Sequence, residues 1–515
     1  LMAQGKAAWM LATMLLILSG CATHQLRDVP LQHSYALPPA PAGTLFEITS
    51  RIEQLNGNGK STYLALSDNL DSLRWRLLLA DLAIETLDAQ YYLWNDDASG
   101  KLLALHLIDA ADRGVRVRLL VDDVFTIDAD TNIAALNSHP NIEIRIFNPW
   151  KGRGSLLRRA TEYFGSSQRL NQRMHNKLLV ADNHVAIVGG RNISNPYFGL
   201  GEHYNFRDME VVTAGPVTDD ISDSFDIYWN DDWAVTGEAF SPPGYIPPAV
   251  AVFREELRSE LQQMEVFEQI DLEDLLQAHE LLPELIDASD TGDVWVVYDD
   301  PPTAVANDTG VRKVDKLQGI SKTFNHDLVI ASAYFIPDEL FVDNLRALTD
   351  RGVRVRVITN SLASTNHTMV NSGYAPWRRR LLDAGVELFE YRGDIANTEG
   401  IVAPGLNGHA ITLHTKAFIV DNETVYIGSL NMDPRSLHIN TEMGLLIRDP
   451  GLAGEVMLAL REDMQPENTW RVSLDANNKL VWESTAGRVH WQPARGFVQR
   501  IADFFYGLLP IKDQL

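Results

Sequence analysis

Two widely separated parts of the chain carry the same succession of hydrophobic and polar positions. Each begins with a short apolar segment that contains aromatic residues, at 88–94 and at 331–337. An amphipathic stretch of helical spacing follows and leads into a segment in which Val and Arg alternate, RGVRVRLLVDD at 113–123 and RGVRVRVITNS at 351–361. Strand, helix and strand in this order predict a right-handed βαβ unit on a largely parallel sheet.

The repetition extends beyond this unit. Arg113 and Arg351 stand almost as far apart as His175 and His414, so both pairs belong to one repeating domain. A chain of 515 residues also exceeds what a single hydrophobic core usually holds. We therefore predict an α/β protein of two duplicated α-β-α domains, each built on a largely parallel sheet.

A motif of reactive and polar residues recurs once in each copy. RMHNKLLVADNHVAIVGGRN at 173–192 and LHTKAFIVDNETVYIGSLN at 413–431 share a His-X-Lys pair, an Asp-Asn pair, two small residues and a final Asn. Matched spacing in two copies argues against a chance arrangement. The members are His175, Lys177, Asp182, Gly190 and Asn192 in the first copy and His414, Lys416, Asp421, Ser429 and Asn431 in the second.

Strand geometry separates these residues by role. Side chains alternate between the two faces of a strand, so His175 and Lys177 share a face and Asp182 lies on the other. Each aspartate precedes an asparagine between two apolar runs, so we assign Asp182 and Asp421 a structural role in a hairpin turn. The following small residues let the backbone approach a bound group, and the Ser429 hydroxyl could add to a phosphate site.

The two motifs together suit phosphoryl transfer. Imidazole, ammonium and amide groups from both copies would converge on a phosphoryl group, whose transition-state charge is stabilised by fixed cations. One neutral imidazole attacks phosphorus while the other, protonated, delivers a proton to the leaving alkoxide. No metal or other cofactor is expected, because a lysine ammonium has no lone pair to offer and His-X-Lys is therefore a poor ligand pair.

These motifs resemble the HKD motifs of the phospholipase D superfamily in its two-motif, single-chain form, over most of residues 60–450. The resemblance implies phospholipase D-like domains with the active site at a pseudo-twofold interface. It implies that His175 is the nucleophile and His414 the acid and base, although equivalent half-sites leave the reverse assignment open. The side chains implied to bind phosphate are those of Lys177, Lys416, Asn192 and Asn431.

The resemblance also implies an acidic residue after each motif that hydrogen-bonds a catalytic imidazole. FRDMEV offers Asp208 or Glu210, and NTEMGL offers Glu442. Strand parity puts Asp208 and Glu210 on one face and leaves the choice between them open. Tyr92 and Tyr334, on the strands that precede RGVRVR, fit either the cleft or the core.

The N-terminus differs in composition from the rest of the chain. An apolar run after Lys6 is too short to span a bilayer but suits a signal peptide. It leads into Leu18-Ser19-Gly20-Cys21, which resembles the lipobox of bacterial lipoproteins, and Cys21 is the only cysteine. We expect cleavage before Cys21, acylation of its thiol, and a protein anchored to the bacterial membrane and facing the periplasm. The outer membrane is favoured because no Asp follows Cys21.

These features divide the chain into six segments. The predicted boundaries are a lipoprotein signal peptide at 1–20, a Pro/Ala-rich spacer and lead-in at 21–60, the first HKD domain at 61–240, an acidic helical connector at 241–292, the second HKD domain at 293–465, and a C-terminal extension with an amphipathic helix at 466–515.

Charge and location narrow the substrate class. A net charge of −25 opposes binding to nucleic acid, and a membrane anchor holds the protein beside phospholipid. We expect a cardiolipin synthase-like phosphatidyltransferase, with phosphatidylglycerol and phosphatidylethanolamine as candidate substrates. A phospholipase D that makes phosphatidic acid and an anchored nuclease are the alternatives. Both half-sites lie in one chain, so a monomer is expected.

Two segments outside the motifs are candidates for membrane contact. The segment 151–173 is basic with interleaved Leu and aromatic residues, which suits a surface that receives an anionic head group, although a plain basic helix has the same composition. The segment 496–511 is apolar at helical spacing. We expect it to pack on the protein's own core, with membrane binding as the alternative.

Overall fold

A computed structural model describes residues 26–57, 59–124, 126, 129–153, 156–241, 244–266, 270, 275, 278–288, 292–306, 324–395, 397–406 and 410–509. The predicted signal peptide and Cys21 lie outside the described residues. The strands are β1 (Thr62–Leu66), β2 (Thr86–Tyr91), β3 (Arg116–Asp122), β4 (Ile142–Phe147), β5 (Leu178–Ala181), β6 (Val185–Gly189), β7 (Tyr204–Arg207), β8 (Glu210–Ala214), β9 (Ala234–Thr236), β10 (Asp293–Tyr298), β11 (Asp327–Ser332), β12 (Arg354–Asn360), β13 (Glu387–Tyr391), β14 (Ala410–Leu413), β15 (Lys416–Val420), β16 (Thr424–Gly428), β17 (Met443–Arg448), β18 (Thr469–Leu474), β19 (Leu480–Ser484) and β20 (Gly487–Val489).

Helices connect and cover these strands. The described α-helices are α1 (Thr44–Asn56), α2 (Asn69–Leu82), α3 (Ala98–Asp112), α4 (Asp130–Leu136), α5 (Leu156–Asn171), α6 (Val217–Trp229), α7 (Val250–Gln262), α8 (Leu282–Asp287), α9 (Pro302–Ala306), α10 (Glu339–Asp350), α11 (Thr368–Tyr374), α12 (Trp377–Asp383), α13 (Pro434–His438), α14 (Pro450–Asp463) and α15 (Phe497–Gly507). Short 3₁₀ helices lie at Asn195–Phe198, Gly237–Phe240 and Ala278–Leu281. No helix of the described chain is both long enough and apolar enough to cross a membrane.

The predicted βαβ unit is present in both copies, as β2-α3-β3 and β11-α10-β12. Each helix starts at an aspartate cap: Asp97 accepts from the Gly100 amide, and Asp338 accepts from the Phe341 amide. Each ends before a glycine with positive φ, Gly114 at 100° and Gly352 at 89°. The same local signals therefore form the same unit twice.

Two large mixed sheets carry the rest of the fold. The first has the order β1-β8-β6-β5-β2-β3-β4-β9, and the second has the order β10-β17-β16-β15-β11-β12-β13-β18-β19-β20. The α/β fold class and the duplication are confirmed, but the prediction of largely parallel sheets is wrong. Parallel pairing within the described part of these sheets is confined to β2-β3-β4 and β11-β12-β13. The other described pairs are antiparallel. Some are short hairpins, such as β5-β6 and β15-β16, and others join strands far apart in sequence, such as β1-β8 and β11-β15.

A continuous core joins the two halves. Val188 and Val211 of the first half pack in the same buried cluster as Ile419, Ile427 and Leu445 of the second. A separate two-stranded parallel ribbon also crosses between them, because β7 of the first half pairs with β14 of the second. The halves therefore meet along the predicted interface through both apolar packing and backbone hydrogen bonds.

The described part of the predicted spacer is docked rather than free. Residues 26–43 form no helix or strand but contact the first domain, where Arg118 donates to the carbonyl of Ser34 (3.0 Å) and Asp226 accepts from the amide of Ala36 (2.7 Å). Helix α1 then buries Leu45 and Ile48 in the first core. Pro/Ala-rich composition did not reveal this because the contacts come from side chains of the folded domain.

The connector and the C-terminal extension behave differently from each other. Connector helix α7 buries Phe253, Leu257 and Leu261 against the first domain, as a helix packed on the outside is expected to do. Strands β18 to β20 instead continue the second sheet from β13, so the second domain extends beyond the predicted boundary at 465. The extension was misassigned because its strands carry no catalytic motif.

Candidate active site

The aspartate of each motif lies in a hairpin turn. Asp182 has φ 51° and Asp421 has φ 53°, and the asparagine after each also has positive φ, as a two-residue type I′ turn requires. The Asp182 carboxylate accepts backbone N–H bonds from Ile84, Glu85 and Thr86 at 2.8–2.9 Å. These contacts fasten the turn to the start of β2, remote from the reacting groups.

The aspartate of the second motif makes the equivalent contacts. Its carboxylate accepts from the backbone amides of Asn325, His326 and Asp327 at 2.7–2.9 Å. Side chains alternate between the two faces of the strand that precedes each turn, so the histidine and lysine lie on the face opposite the aspartate. This places the His-X-Lys pair of each copy at the carboxyl end of β2 or β11. Both aspartates therefore hold a hairpin turn against the neighbouring strand, and neither contacts a catalytic histidine.

Backbone hydrogen bonds from the opposite half fix each histidine. The His175 amide donates to the carbonyl of Thr441 (3.0 Å), whose own amide donates to the carbonyl of Arg173 (2.9 Å). The His414 amide donates to the carbonyl of Arg207 (2.7 Å) at the end of the β7-β14 ribbon. Each imidazole is therefore held by a segment of the other copy, and neither half-site is complete alone.

The orienting carboxylates also come from the opposite half. His175 Nδ1 lies 2.8 Å from Glu442 Oε2, and His414 Nδ1 lies 2.6 Å from Asp208 Oδ2. When each carboxylate accepts the Nδ1 proton, the Nε2 lone pair remains for chemistry. The choice left open by the sequence is thus resolved in favour of Asp208 over Glu210.

Glu210 has a structural position instead. Its carboxylate forms a buried bidentate pair with Arg76 (2.6 and 2.9 Å) and lies 3.4 Å from Arg191. The expectation that Asp208 and Glu210 share a face is wrong, because β7 ends at Arg207 and β8 starts at Glu210. Strand parity does not continue through the break.

The small residues of the motifs accommodate these carboxylates. A Cβ at Gly190 would lie 2.7–2.8 Å from the Asp208 carboxylate oxygens, so only glycine leaves them room. At the equivalent position Ser429 donates its hydroxyl to Glu442. The sequence allowed the Ser429 hydroxyl a place in the phosphate site, and the structure directs it to the carboxylate that orients His175.

Both lysines and both asparagines of the motifs are buried. Lys416 Nζ lies 2.7 Å from His414 Nδ1, and Lys177 Nζ lies 5.3 Å from the centre of the Tyr92 ring. The Asn192 side-chain amide donates to the hydroxyl of Tyr197 (2.9 Å). The side-chain oxygen of the second asparagine, at position 431, is buried and has no hydrogen-bond partner within the described structure.

Burial and cation repulsion disfavour the charged form of both imidazoles. Burial, followed by the charges of Lys177 and Lys416, lowers the pKa of His175 well below its usual value. Burial and then Lys416 lower the pKa of His414 to about 3, although Asp208 opposes the shift. The lysine of each half thus acts on the histidine of the other, as expected for one shared cation-rich site. An arriving phosphate anion would offset this repulsion.

The two carboxylates differ in charge. Burial raises the pKa of Glu442 to about 7, with Lys177 and Ser429 opposing the shift. Burial also disfavours the charged form of Asp208, but Lys416 and His414 outweigh it and hold the pKa of that carboxyl below its usual range. Asp208 is therefore the anionic partner near neutral pH, and Glu442 is the one that titrates.

Aromatic side chains complete the walls of the site. Tyr92 packs edge-on against His175 with ring centres 4.9 Å apart. The sequence allowed Tyr92 a place in the cleft or in the core, and the structure places it in the cleft. Tyr334 lies 6.4 Å from His414 by the same measure. Sequence reasoning missed Tyr197, whose hydroxyl lies 3.5 Å from His414 Nε2 and whose pKa burial raises well above its usual value.

Arg435 was also missed. Its guanidinium donates to the backbone carbonyl of Asn171 at 2.9 Å, and its charge contributes to the lowered pKa of His175. A shared signal was present, because Tyr197 and Arg435 each follow directly after a proline just beyond the motif asparagine. Among the described residues, no three His, Cys, Asp or Glu side chains are grouped so that they could hold a metal ion.

Comparisons with known proteins agree with this geometry. A family model described as "Cardiolipin synthase, PLD-like domain" matches residues 81–229 and 317–464, one match in each half. The chain is similar to cardiolipin synthase C of Escherichia coli (strain K12), with 34% identity over 88% of this chain and 96% of that one. It is also similar to cardiolipin synthase A of Pseudomonas putida (strain ATCC 47054), with 28% identity over 79% of this chain and 67% of that one.

A solved structure supports the same fold. The phosphatidylserine synthase of Haemophilus influenzae Rd KW20 superposes with a TM-score of 0.55 at 15% identity, covering 91% of this chain and all of that one. The fold likeness, the family match to both halves and the 34% identity over most of both chains point the same way. The chain belongs to the cardiolipin synthase, PLD-like domain family.

Proposed function

We propose that the protein transfers a phosphatidyl group from one phospholipid to a hydroxyl of another and so makes cardiolipin. The observation that carries this proposal is the pair of histidines, each oriented by a carboxylate of the opposite half. Relatives named cardiolipin synthases cover 79% to 88% of the chain and support the substrate class.

In the first step, Nε2 of His175 attacks the phosphorus of the donor lipid. A P–N bond forms, the P–O bond to the donor head group breaks, and the His414 imidazolium gives its proton to the leaving alkoxide. With phosphatidylglycerol as donor the head group leaves as glycerol, and with phosphatidylethanolamine it leaves as ethanolamine. The enzyme then holds a phosphatidyl group on His175.

In the second step, neutral His414 takes a proton from a glycerol hydroxyl of phosphatidylglycerol. The resulting alkoxide attacks phosphorus, the P–N bond breaks, and cardiolipin leaves with His175 free and His414 again protonated. Lys177, Lys416 and the motif asparagines stabilise the charge that develops on the phosphoryl oxygens. Tyr197, close to His414 Nε2, helps to exclude water from the proton-transfer path.

The unequal carboxylates support this division of roles. The general acid must carry a positive charge before it donates its proton, and the anionic Asp208 stabilises that charge on His414. The nucleophile must stay neutral, and a partner that titrates near pH 7, such as Glu442, stabilises an imidazolium less. His175 therefore fits nucleophilic attack.

The cellular setting forms part of the proposal. The lipobox-like sequence at Cys21 supports a lipid anchor in the bacterial membrane, with the protein facing the periplasm and the outer membrane favoured. A monomer fits this proposal, because both half-sites lie in one chain. Acyl chains contribute about 0.8 kcal/mol per buried CH₂, so two or more chains would prevent release. Wild-type protein recovered in the soluble periplasmic fraction would contradict this anchor.

Product analysis tests the reaction. Purified protein is given phosphatidylglycerol in mixed micelles, and cardiolipin and phosphatidic acid are quantified by mass spectrometry, with His175→Ala as the inactive control. We expect cardiolipin to exceed phosphatidic acid, because a site that excludes water and holds a lipid alcohol favours transfer. Mainly phosphatidic acid would assign hydrolysis instead, and cleavage of DNA but of neither lipid would assign a nuclease.

A further inference from the structure

The C-terminal helix α15 is turned with its apolar face away from the protein. Phe504 is 64% exposed, Phe505 is 59% exposed and Val498 is 80% exposed. Its buried residue is the charged one, Asp503, which accepts a hydrogen bond from Asn371 (2.8 Å). The expectation that this segment packs its apolar face on the protein's own core is therefore wrong, because polar contacts hold the helix in place.

Helix α15 lies at the edge of the active site. Gln499 donates to the carbonyl of Leu362 (2.6 Å), and Arg495 donates to the carbonyl of Thr365 (2.6 Å). This loop follows β12 and continues to His367, whose ring lies 5.6 Å from that of Tyr334, the residue that also faces His414. Polar contacts thus join the helix to the loop that leads to the second half-site.

A second exposed apolar patch lies on the helix that leads into the first half-site. It lies on α5, where Leu157, Tyr163 and Phe164 are exposed, Phe164 to 86%. The last residue of this helix, Asn171, accepts from Arg435 and lies four positions before His175. The two patches come from unrelated parts of the sequence, and each lies on a helix that contacts a segment next to the catalytic centre.

The charges around α15 indicate what kind of partner would contact its exposed apolar face. The chain has a net charge of −25, yet Arg495 and Arg500 on and just before α15 face one acid, the buried Asp503, while the nearby Arg488 pairs with Glu483 (3.2 Å). A cavity of about 650 Å³ beside the helix is lined by two of these arginines and by the indole of Trp491. Exposed aromatic residues with a cationic border suit the interface of an anionic bilayer.

We propose that α15 and the exposed side chains of α5 form a membrane-docking surface that lays the active-site mouth on an anionic phospholipid bilayer. The surface is defined by Phe497, Val498, Ile501, Phe504, Phe505 and Leu508 on and after α15, and by Leu157, Tyr163 and Phe164 on α5. The proposal rests on the proposed function in one respect, since the lipid substrates would enter between the two patches. A lipid anchor alone tethers the chain without orienting it.

Depth-dependent quenching in reconstituted vesicles tests the surface. The full chain carries one cysteine, Cys21, which is blocked when acylated, so Val498→Cys provides a single labelling site for a fluorophore. Val252→Cys is the matched control. Val252 is a half-exposed valine near the start of α7, the connector helix that packs against the first domain. The wild-type chain, treated with the same reagent, reports any labelling at Cys21.

Vesicles of phosphatidylcholine and phosphatidylglycerol carry nitroxide-labelled acyl chains. We expect position 498 to be quenched about threefold or more over position 252, and less when phosphatidylglycerol is omitted. Phe504→Asp with Phe505→Asp should abolish this difference while thermal unfolding stays unchanged, because both side chains are exposed.

Equal quenching at the two positions would overturn the proposal. So would a fluorophore at 498 that is shielded from aqueous quenchers but not reached by the acyl-chain quencher, since protein would then cover the helix. The His175→Ala version of the labelled chain should give the same quenching. Its result separates a failure of docking from a failure of the proposed reaction.

Discussion

The two half-sites share a histidine and a lysine but differ in the carboxylate that orients the imidazole. His414 is held by Asp208, a short side chain for which Gly190 leaves room. His175 is held by the longer Glu442, which also accepts a hydrogen bond from the serine at the position equivalent to Gly190. A duplicated frame thus contains two different acid–imidazole pairs.

This difference shows how a nearly symmetric site can divide its chemistry. Asp208 stays anionic because Lys416 and His414 outweigh the effect of its burial, whereas burial raises the pKa of Glu442 to about 7. One imidazole faces a permanent negative charge and the other faces a group that titrates. Unequal carboxylate partners are enough to make equal histidines unequal.

Replacement of either histidine should have the largest effect. His175→Ala and His414→Ala should each lower kcat about a thousandfold or more, because each removes a bond-making or proton-transfer role. A donor ester with a p-nitrophenol leaving group, which needs no proton, separates the roles. His414→Ala should then release nitrophenol in a stoichiometric burst, and a burst from His175→Ala instead would reverse the assignment.

The orienting carboxylates should differ in importance. Asp208→Asn should lower kcat about a hundredfold and Glu442→Gln about tenfold, since only Asp208 carries the charge that stabilises an imidazolium. Steady-state kinetics on phosphatidylglycerol micelles measures both. Equal losses in the two variants would contradict the proposed asymmetry.

The pH profile sharpens the same comparison. Below its pKa of about 7 the protonated Glu442 can donate to Nδ1 of His175, which moves the imidazole proton to Nε2. Above that pKa the ionised carboxylate accepts from the Nδ1 N–H and leaves the lone pair on Nε2. Activity of the wild type should therefore rise as the pH increases through about 7. This limb should be absent in Glu442→Gln and retained in Asp208→Asn.

Swapping the small residues of the two motifs should lower activity much more at position 190 than at position 429. Gly190→Ser places a Cβ within 2.8 Å of the Asp208 carboxylate and should displace it, with a loss approaching that of Asp208→Asn. Ser429→Gly removes one hydrogen bond to Glu442 and should cost about threefold or less. Equal effects would mean that the glycine does not make room for Asp208.

The turn aspartates should affect stability more than rate. Asp182→Asn weakens three backbone hydrogen bonds of a buried carboxylate and should lower the free energy of unfolding by about 1–3 kcal/mol. Asp421→Asn makes the same change at a less buried turn and should cost less. Urea unfolding measures both, and a kcat loss in folded Asp182→Asn as large as in His175→Ala would contradict the structural role.

The catalytic motifs were predictable because their information is local and repeated. Strand alternation and the Asp-Asn turn are properties of a few neighbouring residues, and they suffice to place His175 and Lys177 on one face. The choice between Asp208 and Glu210 was not predictable, since it depends on a strand break and on Arg76, which is distant in sequence.

The wrong predictions for the sheets and for the C-terminal helix have a similar origin. Pairing direction within the sheets depends on which hairpins lie between the βαβ strands, and hydrophobic spacing does not reveal it. The orientation of α15 depends on hydrogen bonds to Leu362 and Asn371 from another part of the chain. An amphipathic pattern predicts a helix with two faces and cannot say which face meets the protein.

The identity of the covalent intermediate tests the central claim most directly. His414→Ala is mixed with the p-nitrophenyl phosphatidyl ester, denatured in alkali to preserve phosphoramidate bonds, digested, and analysed by mass spectrometry. The account predicts a phosphatidyl group on His175 in the peptide that contains residues 173–177, and no label in the His175→Ala chain. A phosphatidyl group on His414 of the His175→Ala chain, or no modified histidine in the His414→Ala chain, would contradict it.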